Sequence, residues 1–250
     1  MTSIRLENVH VDIPIYGRGT NSLKQTFLRK ATGGKLARNG GLVSVKALDN
    51  INLVLGDGDT LGLVGHNGAG KTTLLRVMAG VYPPTQGAIQ TYGRISPIFD
   101  VSLGMSADAT GFENIRICGM IWGLSRQQIE AGIEDIAEFS ELGDFLNVPV
   151  RTYSAGMLMR LSFAIATLQQ PDILLIDEVI GVGDSSFRQK ARQRLLTIAK
   201  AAHIVVVSSH ADDILRQLCK QVLWLKQGTN AMLGPTDEVL AAYRESMAVR

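Results

Sequence analysis

Apolar and polar positions change rhythm several times along this 250-residue chain. Residues 4–15 (IRLENVHVDIPI) and 42–55 alternate closely enough to predict two strands. Three short runs, Leu61–Val64, Ile173–Ile176 and Ile204–Val207, are apolar throughout and predict strands buried on both faces. Helical spacing takes over from Lys71 to Ala79, and Pro83, Pro84 and Gly87 then break the pattern before strand-like sequence to Phe99. Thr110 with Glu113, and Ser125 with Gln128, are capping boxes that open helices reaching about Trp122 and Glu141. Ser154 caps a longer helix, Ala155 to Gln170, which Pro171 stops. Beyond it lie a helix around Phe187–Lys200 and a hairpin, Val222–Leu225 with Ala231–Leu233, turning at Gly228, Thr229 and Asn230. A terminal helix follows, capped by Thr236. The expected fold class is α/β: a mixed sheet, an N-terminal antiparallel β region and a helical block at about 101–170, all in one domain.

Composition narrows the class. Hydrophobic content of 46% and charged content of 19% describe a globular protein and exclude a disordered one. No apolar run approaches the ~20 residues that span a bilayer, and the start, MTSIRLENVH, lacks a signal-peptide pattern. Cys118 and Cys219 sit in apolar helical contexts, which predicts free core thiols in a reducing compartment.

The net charge of +2 hides an asymmetry. Residues 13–48 hold seven Lys or Arg and no acid, a charge of +7, so the rest carries 18 basic and 23 acidic residues, or −5. Within the basic insertion at about 17–41, Asn21 or Ser22 can cap a short helix. Leu23, Phe27 and Ala31 then share one face, with Lys24, Arg29 and Lys30 around it. Two readings stay open, a helix lying on a membrane surface and a solvated loop. Nucleic acid is not an expected partner, because the segment has few aromatics and the remainder is acidic.

Candidate chemistry gathers where the three buried strands end, the edge at which open α/β sheets bind ligands. Leu61–Val64 runs into Gly65, His66, Asn67, Gly68, Ala69, Gly70, Lys71 and Thr72, with Thr73 next, which fits the spacing G-x-x-x-x-G-K-[ST]. Glycines there let backbone N–H groups close around phosphate oxygens; Lys71 reaches the β- and γ-phosphates and the Thr72 hydroxyl ligates Mg2+. Ile173–Ile176 ends in Asp177 and Glu178, one to hold Mg2+ and one to orient the attacking water. Ile204–Val207 ends in Ser208, Ser209 and His210, placing an imidazole near the γ-phosphate. Each feature alone has a plainer reading: a glycine turn, two solvated acids, a polar loop residue. Together they predict hydrolysis of a nucleoside triphosphate. The helix start at Ser154 and Gly156 is a second anion-seeking site with no phosphate left in the chain. It could cover the γ-phosphate held by a second copy, in a head-to-tail dimer.

Over essentially its whole length the chain resembles the ATPase subunit of ABC transporters. GHNGAGKTT corresponds to the Walker A loop, ILLIDE to the Walker B strand with its catalytic Glu178, and YSAGM to the signature. The resemblance implies ATP and Mg2+ as ligands, with Ser154 and Gly156 touching the ATP of the partner subunit. It makes Asp184 the D-loop aspartate, His210 the switch histidine and Tyr16 the aromatic that stacks on adenine. Where most relatives place a glutamine, this chain has Asp100, which leaves a water-bridged Mg2+ contact and a role in coupling to the membrane subunit both open.

The strings IPIY, GLVGHNGAGKTTLLRVMAG, RISPIFDVSLGM, TGFENI and VRTYSAGM look like the polysaccharide-export branch. That branch moves lipid-linked O-antigen, capsule or teichoic-acid chains, and the O-antigen type looks closest. The resemblance implies a homodimer of ATPase subunits docked on two copies of a polytopic membrane permease, which handles the lipid-linked glycan. The chain would lie peripherally on the cytoplasmic side of the inner membrane. No C-terminal carbohydrate-binding domain is expected after the terminal helix. The rival class, a soluble ABC ATPase acting on nucleic acid or ribosomes, generally carries two ATPase units or a long coiled coil, and neither is present. A non-hydrolysing interaction module is weaker still, because every catalytic position is filled.

Overall fold

A computed structural model describes residues 1–14, 35–39, 42–99, 104–168, 170–177 and 185–248, with backbone alone at 35–39, 42–43 and 185. In chain order its strands are β1 (Ser3–Pro14), β2 (Lys35–Asn39), β3 (Leu42–Gly56), β4 (Thr60–Val64), β5 (Gln86–Tyr92), β6 (Ile95–Ile98), β7 (Ile173–Asp177), β8 (Ile204–Ser208), β9 (Gln221–Lys226) and β10 (Thr229–Pro235). Its helices are α1 (Lys71–Met78), α2 (Gly111–Ile121), α3 (Arg126–Ser140), α4 (Ala155–Ala166), α5 (Ser185–Ala201), α6 (Asp212–Leu218) and α7 (Thr236–Ala248). Two compact units result. The first is built from the described parts of Met1–Ile95, Asp172–Glu178 and His203–Arg250, the second from those of Ser96–Pro171 and Val179–Ala202.

Alternation produces the first unit's antiparallel sheet, in the order β2-β3-β1-β5. Ile4 and Leu6 of β1 are buried, and so are Val9 and Val11, which lie in the opposite phase. The chain changes phase by bulging: the register with β3 shifts between Leu6 and Val9, and Asn8 takes a φ of 48°. Strand β2 lies inside the stretch read from sequence as an insertion. Asn39 sits opposite Leu42, so the connection spans only two residues, Gly40 and Gly41. The rest of the basic segment, including Leu23, Lys24, Phe27, Arg29, Lys30 and Ala31, lies outside the described residues.

The three apolar runs form the parallel part of the second sheet, where β9, β4, β8 and β7 are neighbours and β10 flanks β9. Leu61, Leu63, Ile173 through Ile176 and Ile204 through Val207 are almost wholly buried, as strands covered on both faces must be. The β9-β10 hairpin turns at Gln227 and Gly228, not at Gly228 to Asn230. Thr229 pairs with Lys226, and both turn residues take positive φ, 50° and 78°. The Thr236 hydroxyl donates to the Cys219 carbonyl at 2.6 Å, tying the start of α7 to the end of α6.

In the second unit both capping boxes form, with Thr110 and Ser125 accepting from the N–H groups of Glu113 and Gln128. The reciprocal bond from the Thr110 N–H holds the Glu113 carboxyl below its usual range. Phe139, Phe163 and Phe187 meet at 5.5–6.2 Å and join α3, α4 and α5. Arg160 lies 5.0 Å over Phe187 and Arg194 4.4 Å over Phe139. So α5 belongs to this unit, although it follows the block at 101–170 in sequence. Helix α4 ends at Ala166, short of the expected Gln170. The Thr167 hydroxyl donates to the Phe163 carbonyl, competing with the helix's own ladder. Ile115 is core, 1% exposed. Asn114, fully buried, accepts from the Ser106 N–H and donates to the carbonyls of Ser106, Ala109 and Thr110.

Two predictions follow from this packing. Asn114→Ala leaves several loop groups unpaired and is expected to cost about 2 kcal/mol or more, read from urea unfolding. Burial pushes the Cys118 thiol up to about 11 and the Cys219 thiol to about 12. Neither should react with Ellman's reagent at pH 8 until denaturant is added.

Candidate functional site

The loop from β4 to α1 is shaped by two glycines. Gly65 takes a φ of 149°, and a Cβ there would overlap the Leu225 carbonyl and lie 2.9 Å from the Ala69 Cβ. Gly70, with a φ of 108°, is the N-cap of α1, and no side chain caps that helix. The first turn therefore points its N–H groups at whatever fills the loop, an anion-binding arrangement. Lys71 is 8% exposed, and its Nζ donates to the carbonyls of Gly65 at 2.6 Å and His66 at 3.4 Å.

Sequence reasoning missed the strut beneath this loop. The Gly228 N–H donates to the Ala69 carbonyl at 3.0 Å, and the Gly228 carbonyl accepts from the Asp49 N–H at 2.8 Å. The signal was the close-approach glycine in the hairpin turn. From the end of β7, Asp177 reaches the same place: the Thr72 hydroxyl donates to its Oδ2 at 2.6 Å. These groups border a cleft of about 370 Å³, with Thr73 beside them and an apolar wall of Ile13 and Val45 that sequence reasoning also missed. His210 follows β8 and is exposed; it shares a second cleft, about 430 Å³, with His66 and Asn67. The structure thus brings Lys71, Thr72, Asp177 and Asn67 to one cleft and places His210 in a second that shares Asn67 with it. Tyr16, Asp100, Glu178 and Asp184 lie outside the described residues.

Ser154 belongs to the second unit, where its Oγ accepts from the Met157 N–H at 3.2 Å and caps α4. The approach to it is braced. Tyr153 donates to the Phe145 carbonyl at 2.6 Å, and the N–H groups of Val150 and Arg151 donate to the carbonyls of Ala109 and Ala107. Gly156, in the first turn, owes nothing to its surroundings: a Cβ there would meet only the Ser154 Oγ, at 3.9 Å.

A parallel sheet whose strand ends carry a glycine cradle, a buried lysine and a hydroxyl-carboxylate pair defines a P-loop nucleotide-binding unit. The profile described as ABC transporter matches residues 48–181, more than half of the chain. This chain belongs to that family, and it binds and hydrolyses ATP. It is 44% identical over 229 residues to the O-antigen export system ATP-binding protein RfbE of Yersinia enterocolitica, covering 91% of this chain and 96% of the relative. It is 34% identical to the teichoic acids export ATP-binding protein TagH of Listeria innocua, covering 97% of this chain and 70% of the relative. Its fold is that of the ATP-binding cassette MJ0796, solved as a dimer bound to ADP and Pi: TM-score 0.68, 20% identity, 93% of this chain and 98% of that one.

The open surroundings of Gly156 give a direct test of the fold. Gly156→Ala should stabilise the chain by roughly 0.5–1 kcal/mol, since alanine is the better helix former and nothing obstructs its methyl. Thermal unfolding of the two proteins checks this.

Proposed function

We propose that this chain is the ATP-hydrolysing subunit of an exporter that drives lipid-linked O-antigen across the inner membrane. It works as a head-to-tail homodimer on two copies of a polytopic permease, peripherally on the cytoplasmic side. No helix among the described residues is long and apolar enough to cross a membrane, so the permease supplies the path. Similarity to an O-antigen export ATP-binding protein along nearly the full length of both chains supports the substrate. The weaker match to a teichoic acids export protein supports a lipid-linked polymer more generally.

The observation that carries the chemistry is the meeting of Lys71, Thr72 and Asp177 at one loop. Backbone N–H groups of residues 65–73 bind the phosphates, and Lys71 exchanges its carbonyl partners for phosphate oxygens. Thr72 and Asp177, already within hydrogen-bond reach, fit a Mg2+ ion, which would neutralise charge on the phosphates when bound. Glu178, next in sequence to Asp177, orients the attacking water, and His210 contacts the γ-phosphate. Ser154 and Gly156 of the second copy close over the same phosphate, which accounts for a helical glycine in open space. Asp184 serves the dimer contact, Tyr16 stacks on adenine, and Asp100 couples the site to the permease.

Mixing mutants tests the shared site. Lys71→Ala and Ser154→Arg proteins should each be inactive. Mixed heterodimers should recover one working site, because one chain supplies the cradle and the other the signature. ATPase that stays absent in confirmed heterodimers would place each site within a single chain. In cells, Lys71→Ala should leave glycan synthesis intact and abolish its surface display; normal display would overturn the export role.

A further inference from the structure

We infer that the C-terminal helix α7 holds the His210 loop in place, and that Arg244 is the positioning residue through which it acts. The inference rests on the proposed role of His210. Three residues join β8 to α6, namely Ser209, His210 and Ala211. Helix α6 has only seven residues, and its N-cap, Ala211, offers no side-chain cap. A start of this kind needs an external hold. Two contacts, three bonds in all, supply it. The Ser209 Oγ accepts from the Ala211 N–H at 3.1 Å, bending the backbone around His210. The Asp212 carboxylate accepts two bonds from Arg244, from Nε at 3.1 Å and Nη2 at 2.5 Å. A two-pronged guanidinium–carboxylate contact fixes orientation as well as distance.

Arg244 is itself anchored. Its neighbour Tyr243 is 6% exposed and packs edge-on against Trp224 of β9, with ring centroids 5.6 Å apart. Val239 and Leu240, one turn earlier, are fully buried. The post therefore stands on the sheet that carries the phosphate loop, and Arg244 lines the cleft shared by His66, Asn67 and His210.

A second ion pair joins the same helices farther from the site, Arg216 to Asp237 at 2.8 Å. It supplies an internal control. Its aspartate side chain is 81% exposed, whereas that of Asp212 is 24% exposed. Both pairs link α6 to α7, but only the inner one is two residues from His210.

The test uses the purified full chain and measures kcat and KM for ATP, affinity for trinitrophenyl-ATP, and melting temperature. Arg244→Ala should lower kcat roughly tenfold or more, as expected for a misplaced catalytic group, with KM and nucleotide affinity within about twofold of the parent. Arg244→Lys should recover only part of the rate, since a point charge cannot form the fork. Arg216→Ala should keep kcat within about twofold. Asp212→Asn, a gentler change, should reproduce the loss even if Arg244→Ala folds poorly. Full kcat in both Arg244→Ala and Asp212→Asn, while His210→Ala is inactive, would overturn the clamp. Equal losses from Arg216→Ala would reduce it to helix packing. If His210→Ala kept full turnover, the role given to His210 would fall instead.

Discussion

A lysine ammonium buried to 8% exposure must be solvated by the protein, and this requirement shapes the phosphate loop. Lys71 turns back on its own loop and donates to the carbonyls of Gly65 and His66. Those carbonyls can face inward only if the backbone curls tightly, which explains glycine at positions 65 and 70. The curl in turn depends on the Gly228 strut, which joins it to the β9-β10 hairpin and to Asp49 at once. A phosphate offers the ammonium better acceptors than two neutral carbonyls do.

Register converts one such loop into a site. In the parallel core Leu63 lies opposite Ser208, and Ser208 lies opposite Asp177. The strands carrying the cradle, the carboxylate and the imidazole therefore end at the same level. Evenly spaced parallel pairing leaves no freedom for one end to lag the others, and burial on both faces forbids a slip. The result is a 2.6 Å contact between Thr72 and Asp177, residues 105 apart in sequence.

This ordering also explains what could be read from sequence. The three strand ends were legible because each is a fully apolar run that stops at a glycine or a polar residue, and the two capping boxes because their bonds are local. Strand β1 was legible as a strand, but its change of phase was not, since a bulge depends on the partner's register. The turn at Gln227 and Gly228 was displaced by a residue because glutamine at positive φ is an uncommon choice that pairing with β9 enforces. Helix α6 escaped notice because seven residues give too short a period, and what holds it is tertiary: burial of Ile214 and Leu215, and the pairs Asp212–Arg244 and Arg216–Asp237. Gly228 looked like turn chemistry alone; its two backbone bonds, to Ala69 of the phosphate loop and Asp49 of β3, are tertiary.

The two anion-seeking helix starts are built on different terms. Helix α1 begins at a left-handed glycine with no side-chain cap, so no side chain takes up the N–H groups of its first turn. Helix α4 begins at Ser154, whose own Oγ satisfies the Met157 N–H. Helix α4 thus finds its cap within the chain, with Tyr153 and the 107–110 loop bracing its approach. What remains open there is a gap: Gly156 gives up the helix-forming advantage of alanine, about 1 kcal/mol, where no neighbour in the chain demands it. A cradle that needs an anion and a capped helix that needs only a surface to meet are complementary halves. In the proposed dimer, ATP held by the first would become the surface for the second.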